Sequence, residues 1–187
     1  MRIVMDPSVT LDDAETVPFK LKWQFGDYVK KKKDVPYEVI YRTPEKTEVH
    51  LVDDHVIGER YWTLSGPGIT KMAAKLRDQV KTISVDDIPS YVDATKAEKV
   101  KHGIAFAALL APEKFDKRFF AWFERGFSHR NPDVREQAIV GSGYVGWKEL
   151  REKLEEVAEN DSDAEIRKSA KLMLEGFELQ DRGELEE

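Results

Sequence analysis

Cysteine is absent from the 187 residues of the chain. This excludes a disulfide framework, a thiolate-bound metal and a cysteine nucleophile, and it suits a reducing compartment. Long apolar runs are missing too. The longest, Ile104 to Pro112, falls far short of the roughly 20 residues that a membrane-spanning helix needs. Residues 1–20 carry Asp6, Asp12, Asp13 and Glu15 without a continuous apolar stretch, which is not the pattern of a secretory signal. The expectation from these absences is a cytoplasmic protein with no membrane segment. An excess of basic charge is also lacking: 30 Lys and Arg stand against 36 Asp and Glu, a net charge of −6. Affinity for nucleic acid rests mainly on cations that neutralise phosphates, so this balance argues against a nucleic-acid partner.

What is present suits a folded chain. The 9 Phe, 6 Tyr and 4 Trp supply enough apolar surface for a core despite a charged fraction of 35%. The length suits one large domain or two small, mutually dependent ones. The charge is unevenly divided. Residues 1–84 hold 14 bases against 13 acids, and residues 85–187 hold 16 against 23. An acidic second half favours a basic protein partner.

The two halves also differ in period. In the first, Phe19, Leu21 and Trp23 alternate with Lys20 and Lys22, while Tyr37, Val39 and Tyr41 alternate with Glu38 and Arg42. With residues 49–52 and 60–64, these runs predict about four antiparallel strands, and Arg2 to Met5 is a candidate fifth. Residues 43–46 and Gly58 have turn chemistry. Beyond Ser65-Gly66-Pro67-Gly68, the spacing of Ile69, Met72, Ala73, Leu76 and Val80 predicts one amphipathic helix. The boundary falls at residues 84–90.

In the second half a register repeats three times. Val100-Lys101, Val134-Arg135 and Ile166-Arg167 lie 34 and then 32 residues apart, each followed three positions after the base by an apolar residue, Ile104, Ala138 or Ala170. A period in the low thirties with helical patterning signals stacked helix pairs. The spacing predicts a short helix at 88–93, pairs at 96–111 with 115–128 and 132–146 with 147–160, and a last helix at 163–178. The linkers 128–133 and 160–163 supply N-caps, and the acidic tail from Asp181 is expected to fray. Ile104 to Ala111 is apolar all round and is expected to be covered on every side, in part by the N-terminal unit. The rings of Phe115, Phe119, Phe120, Trp122, Phe123 and Phe127 span roughly 160° at about 100° per residue.

The segments NPDVREQA and SDAEIRKSA resemble the start of a HEAT-type repeat, of the bacterial kind first described in phycobilin lyases. The resemblance covers residues 95–178. It implies an acidic linker residue, then an aliphatic–arginine pair, then a small residue on the buried face. Asp133, Val134, Arg135 and Ala138 fit, as do Asp163, Ile166, Arg167 and Ala170, while Val100-Lys101 is a degenerate version. Metal-hydroxylase members of the wider helical-repeat class use His-Glu steps, and this chain has no His-Glu dipeptide. Residues 1–84 resemble no family.

Four motifs invite chemistry. Gly141 to Gly146 matches G-x-G-x-x-G, with Asp161 placed 20 residues after Gly141, but its context is a helix start rather than a buried strand. His50, Asp53, Asp54 and His55 are a dense set of metal-ligand types, for which a solvated strand end is the expectation. Lys30 to Lys33 follow Trp23, Phe25 and Tyr28 as a basic patch with aromatic interleaving, expected to be a solvated loop between strands. His102 is expected to be a structural histidine and His129 an exposed one.

The sequence therefore predicts an α+β fold: a small antiparallel sheet with one helix, residues 1–84, packed on a short HEAT-like helical array, residues 85–187. The expected function is a non-catalytic protein-interaction module of the immunity or antitoxin kind, taking a basic protein partner and no cofactor, catalytic residue or metal. The competing expectation is an enzyme accessory or lyase-like HEAT protein, or a nucleic-acid repair factor. Outward positions on the second helices, Arg118, Trp122, Arg125, Trp147, Lys148 and Arg151, are the expected partner-binding residues. Trp147 is expected chiefly to plug the gap between repeats.

Overall fold

The structure, a computed structural model, describes residues 1–183. Two compact units divide at Ser84 and Val85. The first contains β1 (Arg2–Val4), α1 (Leu11–Lys20), β2 (Gln24–Val29), β3 (Tyr37–Arg42), β4 (Glu48–Asp54), β5 (Glu59–Ser65) and α2 (Ile69–Gln79). The five strands form one antiparallel sheet in the order β1-β5-β4-β3-β2. Strands β2 to β5 follow one another as hairpins, and β1 closes the far edge. Alternation puts Val39, Tyr41, Val49, Leu51, Trp62 and Leu64 on one face, in a single core with Ala14 and Val17 of α1 and Met72, Ala73 and Leu76 of α2. Burying such side chains stabilises by about 1.5–3 kcal/mol each. The turns lie where their chemistry places them: Lys46 and Gly58 adopt left-handed φ angles of 65° and 81° between β3 and β4 and between β4 and β5.

Residues 19–23 are not a strand, and this unit has two α-helices rather than one. Phe19 and Lys20 end α1 instead. Thr10 caps that helix by accepting from the Asp13 N–H, and the Asp13 carboxylate accepts from the Thr10 N–H, a complete capping box. Ala14 and Val17 then bury a helical face, while Phe19 is 83% exposed. Two satisfied N-terminal donors and a packed helical stripe outweigh a three-residue alternation.

The second unit opens with a short 3-10 turn at Val85–Asp87 and continues as α3 (Ile88–Val92), α4 (Ala97–Leu110), α5 (Lys117–Phe127), α6 (Pro132–Val145), α7 (Lys148–Asn160) and α8 (Ala164–Asp181). Helices α4, α6 and α8 pack in succession, and α5 lies beside α7. The repeating register is buried throughout: Val100, Val134 and Ile166 are 3%, 0% and 4% exposed, and Ile104, Ala138 and Ala170 are fully enclosed. Asn131 and Asp163 cap α6 and α8 by accepting from the N–H two residues on. Residues 103–109 of α4 are all buried. Asp181 belongs to α8 and pairs with Arg151 rather than fraying, and residues 184–187 of the expected tail lie outside the described residues.

The glycine motif is part of α6, with Gly146 as its left-handed C-cap at φ 71°. A Cβ on Gly141 would stand 3.0 Å from the Phe123 ring and 3.2 Å from the Ala108 Cβ. These glycines let helices approach one another and leave no strand-to-helix turn for a pyrophosphate.

Candidate interaction surfaces

The six residues expected to face a partner meet different fates. Trp122 and Trp147 are not outward: they are 7% and 5% exposed. Trp122 packs edge-on against Phe119, with ring centroids 4.9 Å apart. It is buried because α5 has α4, α6 and α7 as neighbours, so its buried arc is wider than one packing seam. Trp147 precedes α7, packs edge-to-face against Phe115 and donates its indole N–H to the Glu113 carbonyl at 3.2 Å. It plugs the space between the loop after α4 and the start of α7.

The four cations are engaged close to home. The Arg118 guanidinium lies over the Phe119 and Trp122 rings at 5.5 and 5.7 Å. Arg125 pairs with Asp93, and Lys148 with Glu152 at 3.5 Å, four residues along α7. Arg151 bonds both carboxylate oxygens of Asp181 and covers the Phe177 ring at 4.5 Å. Between its exposed ends, Lys148 and Asn160, the exposed side chains of α7 are acidic: Glu152, Glu155, Glu156 and Glu159 recur at helical spacing and share one solvent face. Glu156 is paired with Lys153.

On the sheet, Asp54 departs from the solvated turn expected of it. It is 2% exposed, accepts from the Val56 and Ile57 N–H groups at 3.0 and 3.3 Å, and accepts the Tyr61 hydroxyl at 2.9 Å. Burial and this carboxylate push the Tyr61 phenol well above its ordinary range. Asp53 pairs with Arg60 at 3.4 Å, and the His55 Nε2 bonds the Lys33 carbonyl at 2.9 Å. His50 instead lies between two glutamates, Nδ1 on Glu38 and Nε2 on Glu48, the latter at 3.0 Å. Burial pulls its pKa down, but the hydrogen bonds to Glu48 and Glu38 prevail and hold it above the usual histidine range. Both ring nitrogens are occupied by carboxylates, so this imidazole is not free to activate a nucleophile. Among the described residues no group of three His, Asp or Glu side chains could hold a metal ion. His102 stacks on Phe106 with centroids 6.0 Å apart. His129 is half-buried rather than exposed, its Nδ1 accepting from the Asn131 N–H.

Sequence reasoning overlooked the free edge of the sheet. Strand β2 pairs with β3 on one side and ends the sheet on the other. Phe19, Phe25, Tyr28 and Val35, all between residues 19 and 35, are large apolar side chains 83%, 58%, 48% and 36% exposed. Only the open side of a strand marks such residues as accessible, and strand order is invisible in a one-dimensional pattern. A hollow of about 410 Å³ adjoins this edge, lined by Phe25, Gly26, Asp27, Ile40 and Arg42 among others. Among the described residues no helix is long and apolar enough to cross a membrane. Comparison of the chain with protein-family models, curated proteins and solved structures finds no match.

Proposed function

We propose that this chain is a non-catalytic protein-binding module whose helices form a HEAT-like array, and that the array takes a basic protein partner in the manner of an immunity protein. The observation that carries this reading is the acidic solvent face of α7, built from Glu152, Glu155, Glu156 and Glu159. The cations near it, Lys148, Lys153 and Arg151, are already paired with carboxylates of the same unit. Lys148 and Lys153 offset Glu152 and Glu156, whereas among the described residues no cation pairs with Glu155 or Glu159, so the face keeps a net negative charge, and residues 85–187 carry 23 acids against 16 bases. Complementary charge of this kind steers encounter with a basic surface and excludes acidic ones. The half-buried histidine between Glu38 and Glu48 and the buried Asp54–Tyr61 pair are satisfied internally, which favours a binding role over a catalytic one.

The test is affinity purification of the full chain from its native host beside a variant with Glu152, Glu155, Glu156 and Glu159 replaced by Lys. A basic polypeptide retained by the parent and lost by the variant, at unchanged melting temperature, is the expected result. Equal retention by both, or none by either, overturns the proposal.

A further inference from the structure

The open edge of β2 and the lysines that flank it belong to a different surface from α7, and the inference they carry stands independently of the reading above. We propose that β2 is a docking edge for an acidic, extended polypeptide segment, which adds to the sheet as a sixth strand.

An edge strand leaves backbone N–H and C=O groups without a strand partner on its open side, which is the template for strand addition, although in β2 the Tyr28 N–H already donates to the Asp27 carboxylate at 2.8 Å. Here the edge also has a defined side-chain face. Phe25 pairs with Tyr41 and Tyr28 with Val39, and Tyr41 and Val39 share the core face of β3. Residues three apart in a regular strand point to opposite faces. The register shift between Phe25 and Asp27 inserts one residue and turns both rings to the same side. Gly26 lies in this shift, where a Cβ would stand 3.2 Å from the Ile40 carbonyl oxygen. Two rings, 58% and 48% exposed, thus form a short apolar ledge beside the open backbone. An incoming strand meets that ledge with every second side chain.

Charge selects the occupant. Lys20 and Lys22 precede β2 and Lys30 to Lys33 follow it, all six exposed, around a strand whose one internal charge is Asp27. Among the described residues no ion pair neutralises Lys30 to Lys33. A second copy of the chain is disfavoured in either orientation: antiparallel pairing brings Lys22 of one copy towards Lys30 and Lys31 of the other, and parallel pairing sets the four lysines side by side. An acidic segment meets cations at both ends instead. Nucleic acid is less suited, because Asp27 and Asp34 interrupt the basic track and the chain carries a net charge of −6.

The probe is a fluorescent ten-residue peptide that alternates glutamate with valine around a central tyrosine, titrated into the full-length protein at 0.15 M salt. Binding is expected to be saturable and to slow hydrogen exchange at the β2 amides. It should weaken at least tenfold when the peptide's glutamates become lysines, and equally when alternate backbone amides are N-methylated to remove strand pairing. It should weaken similarly in the variant Lys30→Glu, Lys31→Glu, Lys32→Glu, Lys33→Glu, and in Phe25→Ser with Tyr28→Ser. The peptide changes leave the protein untouched, so they decide the matter even if a variant fails to fold. No binding, undiminished binding of the N-methylated peptide, tighter binding of an oligothymidylate than of the acidic peptide, or a concentration-dependent dimer that buries β2 each overturns the proposal.

Discussion

The Arg135 guanidinium clasps the Asp161 carboxylate through two hydrogen bonds, Nε to Oδ2 at 2.7 Å and Nη2 to Oδ1 at 2.9 Å. Arg135 sits in the first turn of α6 and Asp161 follows α7, so the pair joins the linker before one helix pair to the linker after it. The remaining polar groups are also engaged. Arg135 Nη1 donates to the His129 carbonyl at 2.9 Å, the Asp163 N–H donates to Asp161 Oδ1 at 2.9 Å, and Arg167 donates to the Asp161 carbonyl at 2.6 Å. The two side chains are only 10% and 7% exposed.

Removing one partner of so enclosed a pair leaves an uncompensated buried charge. Asp161→Ala is expected to cost about 3–5 kcal/mol and to lower the melting temperature by roughly 10 °C in a chain of this size. Replacing both partners, Arg135→Met with Asp161→Leu, should recover more than half of that loss. A single variant that melts within about 2 °C of the parent would show that the clasp contributes little.

Two glycine substitutions should act in opposite directions. A Cβ on Gly103 would stand 2.8 Å from the Val92 backbone nitrogen and 2.9 Å from the Tyr91 Cβ, atoms that cannot yield without moving α3. Gly103→Ala is therefore expected to destabilise by about 1–3 kcal/mol. Gly176, inside α8, has no atom within 4 Å of that position. Gly176→Ala should stabilise by up to about 1 kcal/mol through helix propensity. Denaturant titration of both variants checks the sign.

Trp122→Ala is expected to lose about 3–5 kcal/mol, because a buried ring leaves a cavity. Arg125→Ala should change stability by about 0.5 kcal/mol or less, since its pair with Asp93 is 56% exposed on both sides. Equilibrium unfolding separates the two. A loss under about 1 kcal/mol for Trp122→Ala would place its ring on the surface after all.

His50 should make stability depend on pH. Its folded pKa is raised by Glu48 and Glu38 against the opposing effect of burial. A group raised on folding contributes stability that is fully present below its unfolded value, about 6.5, and is lost as pH rises through the folded value. Between pH 5 and 6, where the glutamates are ionised, His50→Gln should therefore be destabilised most relative to the parent. The gap should narrow at pH 8. Titration of the His50 ring protons by NMR should show a midpoint above 6.5 in the parent and a downward shift in Glu48→Gln.

Much of the architecture was legible in the chain because it rests on local periodicity. The turns at Lys46 and Gly58, the face of α2 and the limits of α4 to α8 follow from patterns a few residues long. The repeat register followed from Val100, Val134 and Ile166, each of which must enter the same kind of gap between neighbouring helices. Helix α1 is hidden by the alternation of Phe19, Leu21 and Trp23, which mimics a strand, although its capping pair, Thr10 and Asp13, stands in the sequence. The arc of rings on α5 identified a buried helix without fixing its rim, since the width of a buried arc depends on how many helices surround it.

The sequence by itself determined the two periods, the division of charge and the places where helices begin, because each depends on neighbours within a turn or a hairpin. Only the tertiary structure decided which side chains those elements leave to solvent. Trp122 went inside because three helices converge on α5. Phe25 and Tyr28 stayed outside, on a common face, because β2 ends the sheet and a one-residue register shift rotates its pleat. Exposure is a property of what lies opposite a residue, and what lies opposite is set by contacts distant along the chain.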